Sequence, residues 1–206
     1  MKNILILFTL LVCSCENASL QIISESKNTD DVKKITVVPL DGVDIKDVEL
    51  CVKELKTFYK CDVELLDYDN LPDSLSVNNS YKYNSHKILL FLKEKYKKYN
   101  GKILGLTNKE ISVKERNLNG VIYKNWSVLG LGSLNGKSCI VSTKLIKTNK
   151  KDRLAKVVIH EIGHTLSISH CKTSSHCLMN DAKGTAKTID KEKKIMCDSC
   201  RKKIKW

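Results

Sequence analysis

The residues of this chain that can do chemistry are concentrated between His160 and Cys200. Four of the five histidines fall between His160 and His176, and the run HEIGHTLSISHC carries three of them. His160 and His164 stand four residues apart on an expected helix, so their side chains share one face with Cβ atoms roughly 5–6 Å apart. That spacing lets two imidazoles reach one metal ion at about 2.0–2.1 Å each. Glu161 is turned roughly 100° from His160 by the helical pitch. It can therefore sit beside the ion without ligating it, as a general base for an activated water must. A catalytic zinc takes three protein ligands, and His170 is the candidate for the third. No helical register brings His170 to the face of His160 and His164. The helix must therefore end near Leu166 and the chain must bend at Ser167. A left-handed serine there costs roughly 1–2 kcal/mol.

The thiols that follow suggest a second metal. Cys171 adjoins His170, and Cys177, Cys197 and Cys200 come after it, the last two as CDSC. Four such cysteines read as a closed, structural zinc site. Two small disulfide loops, Cys171–Cys177 and Cys197–Cys200, are the alternative for an exported chain. His176, between the thiols, is a rival ligand. Met179 suits a polarisable apolar floor beneath the histidine site, and equally suits ordinary core packing.

The spacing HExxHxxGxxH is the metzincin signature of zinc peptidases, and the whole stretch from His160 to Cys200 resembles the archaemetzincin family. That family continues the signature with a cysteine, four residues, CxM, seventeen residues and CxxC. Residues 180–196 supply the seventeen here. KILGLTNKEI at 102–111 and VLGLGSLNGKSCIVSTKL at 128–145 look similar too, and the likeness covers most of residues 35–203. Two positions depart from the pattern: Ser167 stands where the family has glycine, and five residues, 172–176, replace four. The resemblance implies a zinc peptidase with two ions. One is catalytic, on His160, His164 and His170, with Glu161 as the base. The other is structural, on Cys171, Cys177, Cys197 and Cys200. Met179 falls at the Met-turn position. It further implies an aminopeptidase-like action on short peptides, and a metzincin-like fold.

These groups must be positioned by an α+β domain over residues 35–206, with a mixed twisted sheet, an active-site helix and a small zinc-stapled C-terminal subdomain. Lys34–Pro39 and Val63–Tyr68 read as strands. Val48, Val52, Leu55 and Tyr59 recur at helical spacing. Residues 69–84 read as a loop, and Ser85 as the cap of a helix running to Tyr99. Residues 103–106, 120–124, 126–131 and 138–143 are strand candidates, with Asn135-Gly136 turning a hairpin between the last two. One of these strands should be an edge lining the cleft, able to pair with a peptide. The motif helix is expected from Asp152, burying Leu154, Val157, Val158 and Ile162, and a basic terminal helix from Thr188 to Lys205. Cys51, Cys61 and Cys139 are expected to be buried free thiols.

The N-terminus reads as an address. Met1 to Ser14 has a basic start and an apolar run too short to span a bilayer. Val12-Cys13-Ser14-Cys15 resembles a lipobox, with Cys15 as the lipidated residue and 15–34 as a polar tether; simple cleavage and secretion is the alternative. On this reading the protein is extracytoplasmic and meets a bacterial membrane only through a lipid anchor. With 206 residues, 42% of them hydrophobic, one folded domain is expected. The net charge of +13 includes clusters at Lys93–Lys98 and Lys191–Lys205, suited to anionic surfaces or acidic peptides and equally to solvated helix faces. The chain shows no aromatic-interleaved basic platform of the kind single-stranded nucleic acid needs, so nucleic acid is not an expected partner. The expected partner is a peptide or protein substrate, and oligomeric state is left open. Two other functions compete with the peptidase: a catalytically silent zinc-binding surface lipoprotein for scaffolding or metal capture, and a disulfide-stabilised adhesin.

Overall fold

The computed structural model describes residues 33–78, 80–182 and 186–206. The expected signal segment, Cys15 and the tether up to residue 32 lie outside them. Lys34 already begins the first strand. Among the described residues no helix is long and apolar enough to cross a membrane.

The chain runs β1 (Lys34–Leu40), α1 (Ile45–Tyr59), β2 (Asp62–Leu65), a 3-10 turn (Asp73–Leu75), β3 (Lys82–Asn84) and α2 (Ser85–Lys95). It continues with β4 (Lys102–Thr107), β5 (Glu110–Leu118), β6 (Val121–Val128), β7 (Gly130–Gly132) and β8 (Ser138–Ser142). The helices α3 (Lys150–Thr165), α4 (Ala186–Lys191) and α5 (Asp198–Arg201) complete it. The main sheet has the order β2-β1-β4-β8-β7. Its first four strands are mutually parallel and β7 is antiparallel to β8. A second sheet, β3-β5-β6, stands beside it.

The inner parallel strands β1, β4 and β8 are buried on both faces, and their sequences are largely apolar for that reason, whereas the edge strand β2 is half exposed. Alternate residues feed two cores. Ile35, Val37, Leu104, Leu106, Cys139 and Val141 face α1 and α3. Val38, Leu40, Ile103 and Ile140 face α2 and the small sheet. The mixed sheet with one long active-site helix is the expected fold class.

Several boundaries differ from expectation. Residues 69–84 are not all loop: β3 forms at their end because Lys82–Asn84 pair with Glu110–Ser112. Asn84, not Ser85, caps α2, its side chain accepting from the Lys87 amide. The Ser85 hydroxyl instead donates to the Ser112 carbonyl. That helix stops at Lys95 rather than Tyr99, and β2 stops at Leu65. The segments 120–124 and 126–131 form one long strand, β6, and the short β7. β5 was not expected, since Lys114, Glu115 and Arg116 interrupt its apolar pattern; pairing with β6 over most of its length sustains it. The motif helix starts at Lys150, two residues before Asp152. The terminal helix is broken into α4 and α5, because Cys197 and Cys200 must turn back toward Cys171 and Cys177. Cys51 and Cys139 are buried free thiols as expected, whereas Cys61 is only partly covered.

Candidate active site

α3 is the spine of the site. Its apolar residues are sealed against the sheet, and Tyr59 of α1 donates its hydroxyl to the Ile159 carbonyl at 2.6 Å. His160 and His164 project from the remaining face. The helix then closes in a Schellman motif: the Ile168 amide donates to the Gly163 carbonyl and the Ser167 amide to the His164 carbonyl, both at 3.1 Å. Ser167 is left-handed, with φ 73°, as the bend demands. Its hydroxyl donates to the Asn135 side chain at 2.8 Å, which offsets part of the strain. Ser167→Gly should remove roughly 1–2 kcal/mol of strain and lose one exposed hydrogen bond of about 0.5–1.5 kcal/mol. Thermal denaturation should therefore place the variant within about 1 kcal/mol of the parent, with zinc binding unchanged.

The bend delivers His170. The ligand nitrogens of His160, His164 and His170 all lie within 4.8 Å of one another. The backbone orients two of the rings. His160 Nδ1–H donates to the Leu178 carbonyl at 2.8 Å, and His164 Nδ1–H to the Ile168 carbonyl at 2.7 Å. Each Nε2 is thereby left as the free lone pair, the usual arrangement behind a metal-ligating histidine. Burial holds all three imidazoles below their ordinary pKa, His160 down to about 3 with the proximity of His164 contributing. They are neutral near pH 7, the form that binds metal. The third ring stands beside an ion pair: Asp181 lies 3.9 Å from His170 Nδ1 and is itself gripped by Arg116 at 2.9 and 3.1 Å.

Glu161 points toward β7, whose Gly132 also approaches His164, and it lines the same cleft as the three histidines. Burial pushes its carboxyl up to about 8, countered in part by the Gly132 amide, which donates to it. The fit depends on missing side chains: a Cβ on Gly130 would stand 2.6 Å from Glu161 Cγ and 2.7 Å from Oε1. Gly130→Ala should therefore push the carboxylate off its position. The expected result is a loss of about 100-fold in kcat/KM, since a displacement near 1 Å can cost that much, with zinc content and fold retained. β7 is the outer strand of the main sheet. Leu129 and Ser133 bond toward β8, so the alternating backbone groups of Gly130 and Gly132 face the open side. This is the expected edge strand; its Gly132 amide is taken by Glu161, and the strand lines a cleft of about 500 Å³ together with the three histidines and Glu161.

The four thiols Cys171, Cys177, Cys197 and Cys200 also gather, all within 4.8 Å of one another. Cys171 and Cys197 Sγ are 3.7 Å apart. That matches the edge of a tetrahedron with 2.3 Å zinc–sulfur bonds, about 3.8 Å, and is far from the roughly 2.05 Å of a disulfide. All four thiols are free, so the alternative of two disulfide loops, Cys171–Cys177 and Cys197–Cys200, is not the arrangement seen. Donors surround the sulfurs: Ser199 and Thr173 hydroxyls and the Cys200 amide bring Cys197 down to about 5. The Cys197 amide donates to Cys177 Sγ. His176 is exposed and takes no part. Met179 is fully buried, with its sulfur 2.7 Å from where a Gly163 Cβ would stand. It packs under the helix turn between the two histidines, so the floor and core readings are one. The Cys171 amide donates to the Met179 carbonyl at 2.7 Å, tying the two sites together.

Residues 44–206 match the model of peptidase family M54. The chain belongs to this family, the archaemetzincins. It is 30% identical to an archaemetzincin of Saccharolobus islandicus, the alignment spanning 83% of this chain and 92% of the relative. It is 28% identical to that of Natronomonas pharaonis, over 80% and 98%. The crystal structure of Archaeoglobus fulgidus archaemetzincin, complexed with malonate, superposes with a TM-score of 0.69 at 26% identity, covering 83% of this chain and 99% of that one. Membership makes this archaemetzincin a zinc metallopeptidase, and both donor sets fit zinc: neutral nitrogens in one, sulfurs at tetrahedral spacing in the other. Arg116, Asp181, Gly130 and Gly132 are the site residues that the motif alone does not reveal. The glycines did leave a signal, because alternate glycines in a strand mark the close approach of another group.

Proposed function

We propose that this archaemetzincin is a metzincin-type peptidase that binds two zinc ions and hydrolyses short peptides in an aminopeptidase-like manner. The observation that carries the reading is the meeting of three neutral imidazoles, a buried glutamate and an open strand edge in one cleft. His160, His164 and His170 would hold the catalytic ion, and the four cysteines the structural one. Zinc, when bound, supplies a Lewis acid that brings the pKa of water to about 7 and stabilises charge developing on a carbonyl oxygen.

The chain's own residues do the rest. The edge of β7 orients the peptide backbone by strand pairing. Three residues of edge suit a short peptide. Glu161, held by the Gly132 amide, accepts the proton of the attacking water and passes it to the departing amine. Arg116 and Asp181 keep His170 turned inward. The test is metal content paired with hydrolysis of unblocked short peptides. Two zinc ions per chain are expected, one labile to chelators and one resistant. Activity should vanish with the labile ion and return with added zinc. A chain holding both ions and cleaving no peptide would refute the proposal.

A further inference from the structure

The histidine cleft extends past the metal site along α3, where Val157, Leu145, Ala182 and Ile189 form apolar walls. Two charged groups lie in this extension. Lys156 precedes His160 by four residues, one helical turn or about 6 Å along the axis. Only 5% exposed, it is already satisfied: its ammonium donates to the Ile189 carbonyl at 3.0 Å and pairs with Asp152 at 2.7 Å. Glu192 is different. It stands in the run Lys191-Glu192-Lys193-Lys194, whose three lysines are exposed while the acid turns inward and lines the cleft at 6% exposure. Its Oε1 is buried and accepts no hydrogen bond from any of the described residues. Buried carboxylates are ordinarily paired. Asp152 and Lys156 pair with each other, so among the described residues Glu192 has no ion-pair partner of its own. Burial accordingly pushes its carboxyl up to about 7, with Lys156 opposing and Asp181 adding to the rise.

We propose that Glu192 forms a subsite for a cationic group of the substrate, an ammonium or guanidinium, one helical turn from the metal-binding histidines. Apolar walls around a carboxylate suit a group with an aliphatic stem and a charged head. The peptide's own α-ammonium and a Lys or Arg side chain share this chemistry. The inference rests on the peptidase reading of the same cleft and adds a determinant of which peptides enter it.

The test is calorimetric binding to the zinc-loaded Glu161→Gln chain, with and without Glu192→Gln. Three peptide amides serve as probes: a neutral unblocked peptide, its N-acetylated counterpart, and an N-acetylated peptide carrying one lysine. A charge-assisted contact should tighten Kd by about 10–100-fold over the uncharged probe, and Glu192→Gln should abolish that advantage alone. A gain for the unblocked peptide identifies the α-ammonium; a gain for the lysine peptide identifies the side chain. Equal weakening of all three probes, unchanged ratios, or no binding by any of them overturns the proposal. Cleavage by the native zinc-loaded chain tests the peptidase reading separately. Glu192-dependent discrimination without any cleavage would sink that reading and leave the cation subsite standing.

Discussion

Glu161→Gln is expected to retain both zinc ions and lose peptide hydrolysis by about 100- to 10,000-fold, the usual contribution of a positioned general base. The amide keeps the size of the carboxyl and still accepts from the Gly132 amide, so the packing against β7 should survive. What disappears is the ability to take a proton, which the carboxylate has and the amide lacks. Steady-state kinetics should show the loss in kcat, with KM little changed, and metal analysis should show an unaltered zinc content. Hydrolysis persisting within tenfold of the parent would remove Glu161 from the role and require another base in the cleft. A parent chain that holds both ions and proves inactive would instead revive the silent-scaffold alternative.

Cys200→Ser should lower zinc content from two to one per chain and reduce stability by several kcal/mol, a fraction of the roughly 10–16 kcal/mol that structural zinc contributes in small zinc-finger peptides. For a chain of this length each kcal/mol moves the midpoint by about 2–4 °C, so a fall of about 10 °C or more is expected in Tm. The damage should spread. Cys171 adjoins His170, its amide is bonded to Met179, and the neighbouring Leu178 carbonyl orients His160. Chelator competition should therefore show weaker binding at the histidine site as well. A pair of disulfides predicts the opposite: unchanged zinc content and one newly reactive thiol. Counting zinc and free thiols in the parent and variant separates the two models directly.

Much of the site was legible because its determinants are local. His160 and His164 share a face by helical geometry, which needs no tertiary information, and the bend after Leu166 follows from where His170 must go. The structure realises that bend through a left-handed Ser167 and the Schellman bonds beneath it. The one-residue-longer loop 172–176 was also absorbed without loss of the thiol cluster, with His176 turned to solvent. Loop-closure entropy changes slowly with length, so one extra residue is a small perturbation.

Other features were hidden because they depend on residues far apart in sequence. β5 reads as a charged segment until β6 pairs with it, and Arg116 then reaches Asp181, 65 positions later. The terminal stretch looks helical by composition, but the convergence of four thiols outweighs helix propensity over so few residues and breaks it. The lysine-rich run 191–194 looks like a solvated face, and nothing local marks Glu192 as the member that turns inward.

The amino-acid order by itself determined the donor set: which imidazoles, which thiols and which acid, because side-chain spacing along one helix and one short loop is a local property. Only the tertiary structure decided the environment of those groups. The edge of β7 lies against Glu161, the Leu178 carbonyl aims His160, Arg116 and Asp181 stand beside His170, and Glu192 finds no partner among the described residues. Each of these arises when distant segments are brought together by burial of two apolar cores, whereas the bond from His164 to the Ile168 carbonyl is local to the bend.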